Sequence, residues 1–451
     1  MSHRAKFANI VLAGAFACCV VLFIYTAYRS SFYLSRAVNT YYVAAVVGTF
    51  LFGIALRWRA EAKVNFAMVV IAVGVAVYLA ELLLLFFSTA PDNRQVEYAQ
   101  RVERAQQRGL PFDKRTRWQV IMELRERGVD AYPPVFPALF VASNGLDAGR
   151  QKIYPLGSVA HKKVVFCNES GEYVVFESDE HGFNNPQGLY EQGKLDIALI
   201  GDSFAQGECV KPGRDIAGQL RKNSRKVLTF AYGGNGPLIE LATLKEYAEP
   251  HSPKIILWVY FEGNDLSDLV KEQKSPILLK YLENDFTQIL LKRQDEIDRV
   301  LEQFVVSSME EEGNSNQTVK VSLVRVVTLY DLRWILGMKD PFISSVLPLF
   351  RTILAKARDM TASWGGHLYF VYLPDRKRYL GTVNHDELFY RKQVLAVVHN
   401  LDIPTIDFHH VLAAYPNPLS FFPLQLGHYT AEGYSLLVQT IETYLEDGIG
   451  R

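Results

Sequence analysis

The chain has 451 residues, well above the roughly 100–200 of one average domain, so more than one structural unit is expected. Apolar residues make up 49% and charged residues 21%, which excludes a disordered chain, and four cysteines exclude a disulfide-dense scaffold. Lys+Arg at 48 balances Asp+Glu at 48, so the chain lacks the basic excess of a nucleic-acid-binding protein.

Three apolar runs precede residue 90: Ala8–Tyr28, Tyr41–Leu56 and Asn65–Ser88. A helix needs about 20 mostly apolar residues to cross a bilayer. The first and third runs reach that length, the third with Glu81 inside it, and the second is short. Three such runs separated by short basic loops predict a transmembrane region over residues 1–90, with spans near 8–28, 41–57 and 65–88. The first run is longer than the usual apolar stretch of a signal peptide, and no small-x-small cleavage site follows it. Arg4, Lys6, Arg57, Arg59 and Lys63 lie on one side of the spans, against Arg29 and Arg36 on the other. Under the positive-inside rule, three crossings place everything after residue 90 outside the cytoplasm; two crossings would leave it inside.

Residues 91–150 read as a polar connector. Val96–Arg108 is charged and predicts a solvated helix. Thr116–Gly128 carries Trp118, Ile121 and Leu124 at helical spacing, with Gly128 as a C-cap. The prolines of Tyr132–Pro137 predict an extended crossing. The stretch "KKVVFCNESGEYVVFES" predicts a hairpin around the turn Asn168-Glu169-Ser170-Gly171.

From residue 195 the pattern changes. Short apolar strands begin at Asp196, Lys226, Lys254, His367 and Ile403, alternating with helices. Near-continuous apolar strands joined by helices predict an α/β domain, residues 151–451, with a doubly wound parallel sheet. Residues 266–360 are mostly amphipathic helix and predict an inserted cap or side lobe.

Sites in open parallel sheets lie beyond the carboxyl ends of the strands. Three motifs fall there, and a fourth comes near the chain end. "IGDSFAQG" puts Ser203 on a turn into a helix, among free backbone N–H groups. "AYGGNGP" supplies glycines that let backbone approach a ligand. "FEGND" presents Asn264, and "LGHYTAEGY" presents His428 just before the last helix. Each has a plain structural reading: Ser203 and Asn264 as helix caps, the glycines as a tight turn, His428 as a loop residue. All four readings would have to hold together.

The order Ser, Gly, Asn, His resembles the SGNH/GDSL hydrolase superfamily. The resemblance spans roughly residues 150–451 and implies Ser203 as nucleophile, Gly234 and Asn264 as oxyanion-hole donors, and His428 as base. "SDEHGFNNP" resembles the lead-in of membrane-anchored bacterial members. The chain departs from the pattern in one respect: the family's acid three residues before the histidine is Gln425 here. Gln425 can accept a hydrogen bond but supplies no charge, which leaves a Ser–His dyad or an acid from elsewhere, with Asp407 as a substitute. Asp179 and His181 form a rival pair, because relatives that acylate exopolysaccharides carry Asp-x-His upstream of the serine. Phosphate-loop, dinucleotide and zinc-site patterns are missing, so no cofactor and no metal are expected.

The resemblance implies a serine esterase or O-acyltransferase in the bacterial inner membrane, its domain outside the cytoplasm. Its partners would be an acylated small molecule or glycan, the bilayer and the envelope polysaccharide machinery. The rival reading is a non-catalytic glycan-binding or assembly protein that keeps the fold, and Gln425 is what favours it. In an oxidising compartment, Cys167 and Cys209 would be the domain's two thiols. The sequence leaves open whether they form a bridge or stay separate.

Overall fold

A computed structural model describes residues 2–30, 36–87, 93–149, 151–191, 193–223, 225–314, 326–335, 343–381 and 390–449. The chain forms two compact units: Met1–Val96 with Asn316–Ser345, and Glu97–Ser315 with Val346–Arg451.

The first unit contains helices α1 (His3–Ser30), α2 (Arg36–Ala55) and α3 (Ala60–Phe87). Two stretches, His3–Ala27 and Ala60–Leu85, are long and apolar enough to cross a membrane; Tyr41–Ala55 is shorter. The described spans are therefore two where the sequence predicts three. At 1.5 Å per residue, Tyr41–Ala55 covers only about 22 Å of a hydrocarbon core about 30 Å thick. Glu81, unusual in an apolar helix, is fully buried and accepts the N–H groups of Asp331 (2.9 Å) and Leu332 (2.8 Å). It satisfies the free donors of the short helix Tyr330–Ile335, which offsets the cost of burying a carboxylate. Arg333 Nε donates to Tyr41 Oη at 2.9 Å.

The second unit opens with α4 (Asn93–Gln107), which joins it from Glu97 onward, and α5 (Arg117–Glu126). Thr116 and Gln119 cap α5 reciprocally. Strands β1 (Ala131–Tyr132), β2 (Lys163–Val165) and β3 (Val175–Glu177) make a small sheet, the last two antiparallel around the 168–171 turn. Asn168 Oδ1 accepts the Gly171 N–H at 2.9 Å and fixes that turn.

The main sheet has five parallel strands: β4 (Ile197–Gly201), β5 (Val227–Thr229), β6 (Ile255–Phe261), β7 (His367–Leu373) and β8 (Thr405–Asp407). Their spatial order is β8-β7-β6-β4-β5. After β4 the chain goes to one edge, then returns to build the other side. The crevice beyond the carboxyl ends of β4 and β6 is thus the switch point of the sheet.

Alternation along the strands feeds two faces. Leu257 and Val259 of β6 pack in one core with Val371, Ile216, Leu220, Leu437 and Ile441. Tyr260 on the opposite face meets Phe350 and Phe370. Phe350 belongs to the helix Leu347–Ser363, which also buries Ile353, Leu354 and Ala357. That helix is a crossover into β7, part of the sheet's own covering layer. The helical stretch 266–360 is therefore not one lobe: its middle, Asn316–Ser345, groups with the first unit.

Candidate active site

Asp202 ends the turn after β4 and caps the short helix Ser203–Gln206 by accepting the Phe204 N–H at 2.9 Å. Ser203 is therefore the first helical residue, with its N–H uncommitted to the helix. The side chain is buried, with 8% exposure. Its Oγ lies 2.8 Å from His428 Nε2 and 3.3 Å from Asp202 Oδ2.

His428 arrives from the other end of the chain, just ahead of the last helix, Ala431–Ile449. Its Nδ1 lies 3.1 Å from Glu169 Oε1, and its backbone N–H donates to Glu169 Oε2 at 2.8 Å. One carboxylate thus holds the histidine by both ring and backbone. Gly427 makes this approach feasible: its φ is +74°, and an added Cβ would fall 2.1 Å from Glu169 Oε2.

The partner of the ring is therefore neither Gln425 nor Asp407, contrary to the sequence reading. Asp407 caps the helix Phe408–Ala413 through the His409 N–H and pairs with Arg391. Gln425 and its neighbour Leu424 sit in the left-handed region, and Arg104 Nη1 donates to both their carbonyls at 3.2 and 2.8 Å. Left-handed backbone costs a residue with a side chain roughly 1–2 kcal/mol, so the loop into His428 is strained and Arg104 clamps it.

The same helix, α4, supplies Arg101, whose Nη2 bonds Glu169 Oε1 at 2.9 Å. Arg101 and Arg104 are three residues apart, one helical turn. The segment expected to be a solvated connector helix therefore braces both Glu169 and the loop into His428.

A disulfide joins Cys167 to Cys209, with Cα atoms 5.4 Å apart. Cys167 stands two residues before Glu169. Cys209 follows Glu208, whose Oε2 lies 3.6 Å from His428 Nε2. The bridge thus ties the turn bearing Glu169 to the loop after Ser203.

Electrostatics follow from this crowding. Burial pulls the His428 imidazole down, but Glu169, Glu208 and Asp202 outweigh it and raise it to about 9. Burial pushes the Glu169 carboxyl up, but His428 and Arg101 reverse that and hold it at about 2. Asp202 is pushed up to about 7 by burial, reinforced by Asp268 and Glu208 against the pull of the Phe204 N–H and His428. Glu169 thus carries charge toward the imidazole, held there first by His428 itself and then by Arg101.

The glycine turn Gly233–Gly236 is held from two sides. Gln206 Oε1 accepts the Gly233 N–H at 2.8 Å. Glu272 accepts the N–H groups of Gly236 (2.6 Å) and Leu238 (2.9 Å). Gly234, at φ +76°, keeps its N–H clear of any described backbone acceptor. Asn264 follows β6, next to β4 in the sheet, and its Nδ2 donates to Asp268 at 2.8 Å. One Nδ2 hydrogen remains for another acceptor.

Asp179 and His181 lie apart from this cluster. Asp179 is fully buried and accepts from the N–H groups of His181 and Phe183, Asn185 Nδ2 and Tyr190 Oη, all at 2.8–2.9 Å. His181 Nδ1 contacts Gln294 at 3.2 Å. The "DEHGFNN" stretch is a structural knot. Among the described residues, Glu169–Cys209–His428 and Cys167–Glu208–Cys209 cluster potential metal-binding atoms, but both cysteines are in the bridge.

No family model matches the chain, and no curated protein matches it. Among solved structures, it is similar to a lipase/acylhydrolase from Enterococcus faecalis at 15% identity, over 56% of this chain and 96% of that one, with a TM-score of 0.32. It is similar to TesA at 9% identity, over 56% and 98%, with a TM-score of 0.33. A putative acylhydrolase from Bacteroides fragilis aligns at 10% identity, over 58% and 93%, with a TM-score of 0.32. Likeness at this level leaves the reading of function to the geometry of the site.

Proposed function

We propose that the chain is a serine esterase or O-acyltransferase that uses Ser203, His428 and Glu169. The observation that carries this reading is the continuous line from Ser203 Oγ to His428 Nε2 (2.8 Å) and from Nδ1 to Glu169 (3.1 Å). Ser203 Oγ attacks the ester carbonyl, and neutral His428 takes its proton. Glu169 orients the ring and stabilises the imidazolium that forms. The N–H groups of Ser203 and Gly234 and the Asn264 amide receive the oxyanion. His428 then protonates the departing alcohol, and water or a second hydroxyl releases the acyl group. No step calls for a cofactor.

Gln425 before His428 is what favours a non-catalytic reading, and an acid at Nδ1, Glu169, weighs against it. Membrane attachment is part of the proposal, supported by the two long apolar stretches. A disulfide is at home in an oxidising compartment, which favours a domain outside the cytoplasm acting on envelope or exported glycan esters.

The test is hydrolysis of a short-chain acyl ester by the detergent-solubilised chain. Ser203→Ala should abolish turnover, and Asn264→Ala should lower it by roughly 10²–10³. Full activity in Ser203→Ala would sink the assignment.

A further inference from the structure

Of the carboxylates at the Ser203–His428 contact, Asp202 is committed to capping the helix Ser203–Gln206, and Glu208 is left unused by the mechanism above. Its N–H donates to the Ser203 carbonyl at 2.9 Å, and Cys209 beside it is fixed by the disulfide. Its Oε2 stands 3.6 Å from His428 Nε2. On the other side, a Cβ added to Gly233 would fall 3.1 Å from the same oxygen. The carboxylate therefore lies between the imidazole and the glycine turn, where the alcohol part of an ester must pass. Its side chain is only 18% exposed, and no described residue donates a hydrogen bond to it. Its oxygens keep contact with solvent, so their acceptor sites are open to a ligand. A substrate hydroxyl can take the place of that solvent.

We propose that Glu208 is the specificity-determining residue of the site: it accepts a hydrogen bond from a hydroxyl next to the esterified oxygen, so the preferred substrates are esters of vicinal diols such as glycerol or sugar units. This rests on the serine-esterase reading. In the acylation step the Ser203 Oγ–carbonyl carbon bond forms and the bond from that carbon to the alcohol oxygen breaks. The Ser203 proton passes to Nε2 and then to the departing oxygen. That oxygen must come within hydrogen-bond reach of Nε2, roughly 2.6–3.2 Å. A hydroxyl on the adjacent carbon then falls beside the Glu208 carboxylate. The negative charge also disfavours alcohols that carry a carboxylate or phosphate of their own. Burial pushes the Glu208 carboxyl above the usual carboxylate range, against the downward pull of the facing His428.

The test compares ethyl acetate with 2-hydroxyethyl acetate, using the full chain in detergent at a pH where His428 is neutral in every variant. The readout is the ratio of their kcat/KM values, which cancels any effect of Glu208 on the imidazole itself. The wild type should favour the hydroxylated ester by about 10- to 100-fold, the worth of one hydrogen bond to a charged group. Glu208→Leu should bring the ratio near one. Glu208→Gln, which keeps the shape and one acceptor oxygen, should fall between, and it carries the test if the leucine variant does not fold. An unchanged ratio in Glu208→Gln and Glu208→Leu, with both rates moving together, would show that Glu208 acts on the imidazole alone and would overturn the proposal. A wild type that turns over neither ester sinks the esterase reading first, and this inference with it. A wild type that hydrolyses both without preference sinks this inference only.

Discussion

His428 stands between Glu169 at Nδ1 and Glu208 near Nε2, and these two carboxylates, with Asp202, raise its pKa against the effect of burial. A general base must be neutral to accept the serine proton. With the imidazole raised to about 9, most of it is protonated at neutral pH, so kcat/KM for a simple ester should climb with pH and level off above about 9. Glu169→Gln removes the largest upward pull, so its rising limb should shift to lower pH. The same change leaves the ring without its orienting charge, and the plateau should fall by up to about 10⁴. A pH–rate profile for both proteins checks this; a limb that stays in place would mean that Glu169 does not face the ring in solution. Ser203, Gly234 and Asn264 were legible as candidates because each follows a strand that announces its own end, and His428 because it stands just before the last helix. Glu169 was not. It sits 259 residues from His428, inside a turn whose Asn168 and Gly171 already account for the local sequence. The available hints were the cysteine two residues away and the Arg101/Arg104 pair at one-turn spacing.

At the scale of elements, three pieces converge on one histidine: the 168–171 turn, the helix Ser203–Gln206 with its following loop, and α4. The disulfide fixes the first two to each other. It closes a loop of 42 residues, worth roughly 4 kcal/mol in the chain-entropy model. Replacing Cys167 and Cys209 together by serine should lower stability by an amount of that order in a denaturant titration. Ester turnover should fall as well, because Glu169 and Glu208 both lose their anchor. Thiol counting on the denatured, unreduced chain should find two free thiols, Cys18 and Cys19; four would remove the bridge. Helix α4 shows where charge patterning misleads. Its Arg and Glu residues match a solvated face, yet Arg101 and Arg104 reach buried acceptors. A periodicity argument sees which residues are polar, not whether a carboxylate and two strained carbonyls wait opposite them.

For the whole molecule, the parallel sheet was readable from its five apolar strands, and the site lies at the switch point that their order creates. The helical stretch 266–360 was read too simply. An amphipathic crossover such as Leu347–Ser363 has the same spacing as a cap helix, and only its partners distinguish them. By length and composition two stretches reach a bilayer's span on their own, and Tyr41–Ala55 falls short of it. Our proposal of a domain outside the cytoplasm needs that shorter helix to cross as well, through local thinning of the bilayer. A reporter active only outside the cytoplasm should then work when fused after residue 95 and stay silent when fused near residue 61. The reverse pattern would place the domain inside and remove the support for exported glycan substrates.

The central claim is that Ser203 is an activated nucleophile. It is tested most directly by treating the detergent-solubilised chain with a fluorophosphonate and mapping the adduct by mass spectrometry. The account predicts one adduct, on Ser203, that disappears in Ser203→Ala and forms far more slowly in His428→Ala and Glu169→Gln. An unlabelled wild-type chain, or labelling that is indifferent to His428 and Glu169, would contradict it.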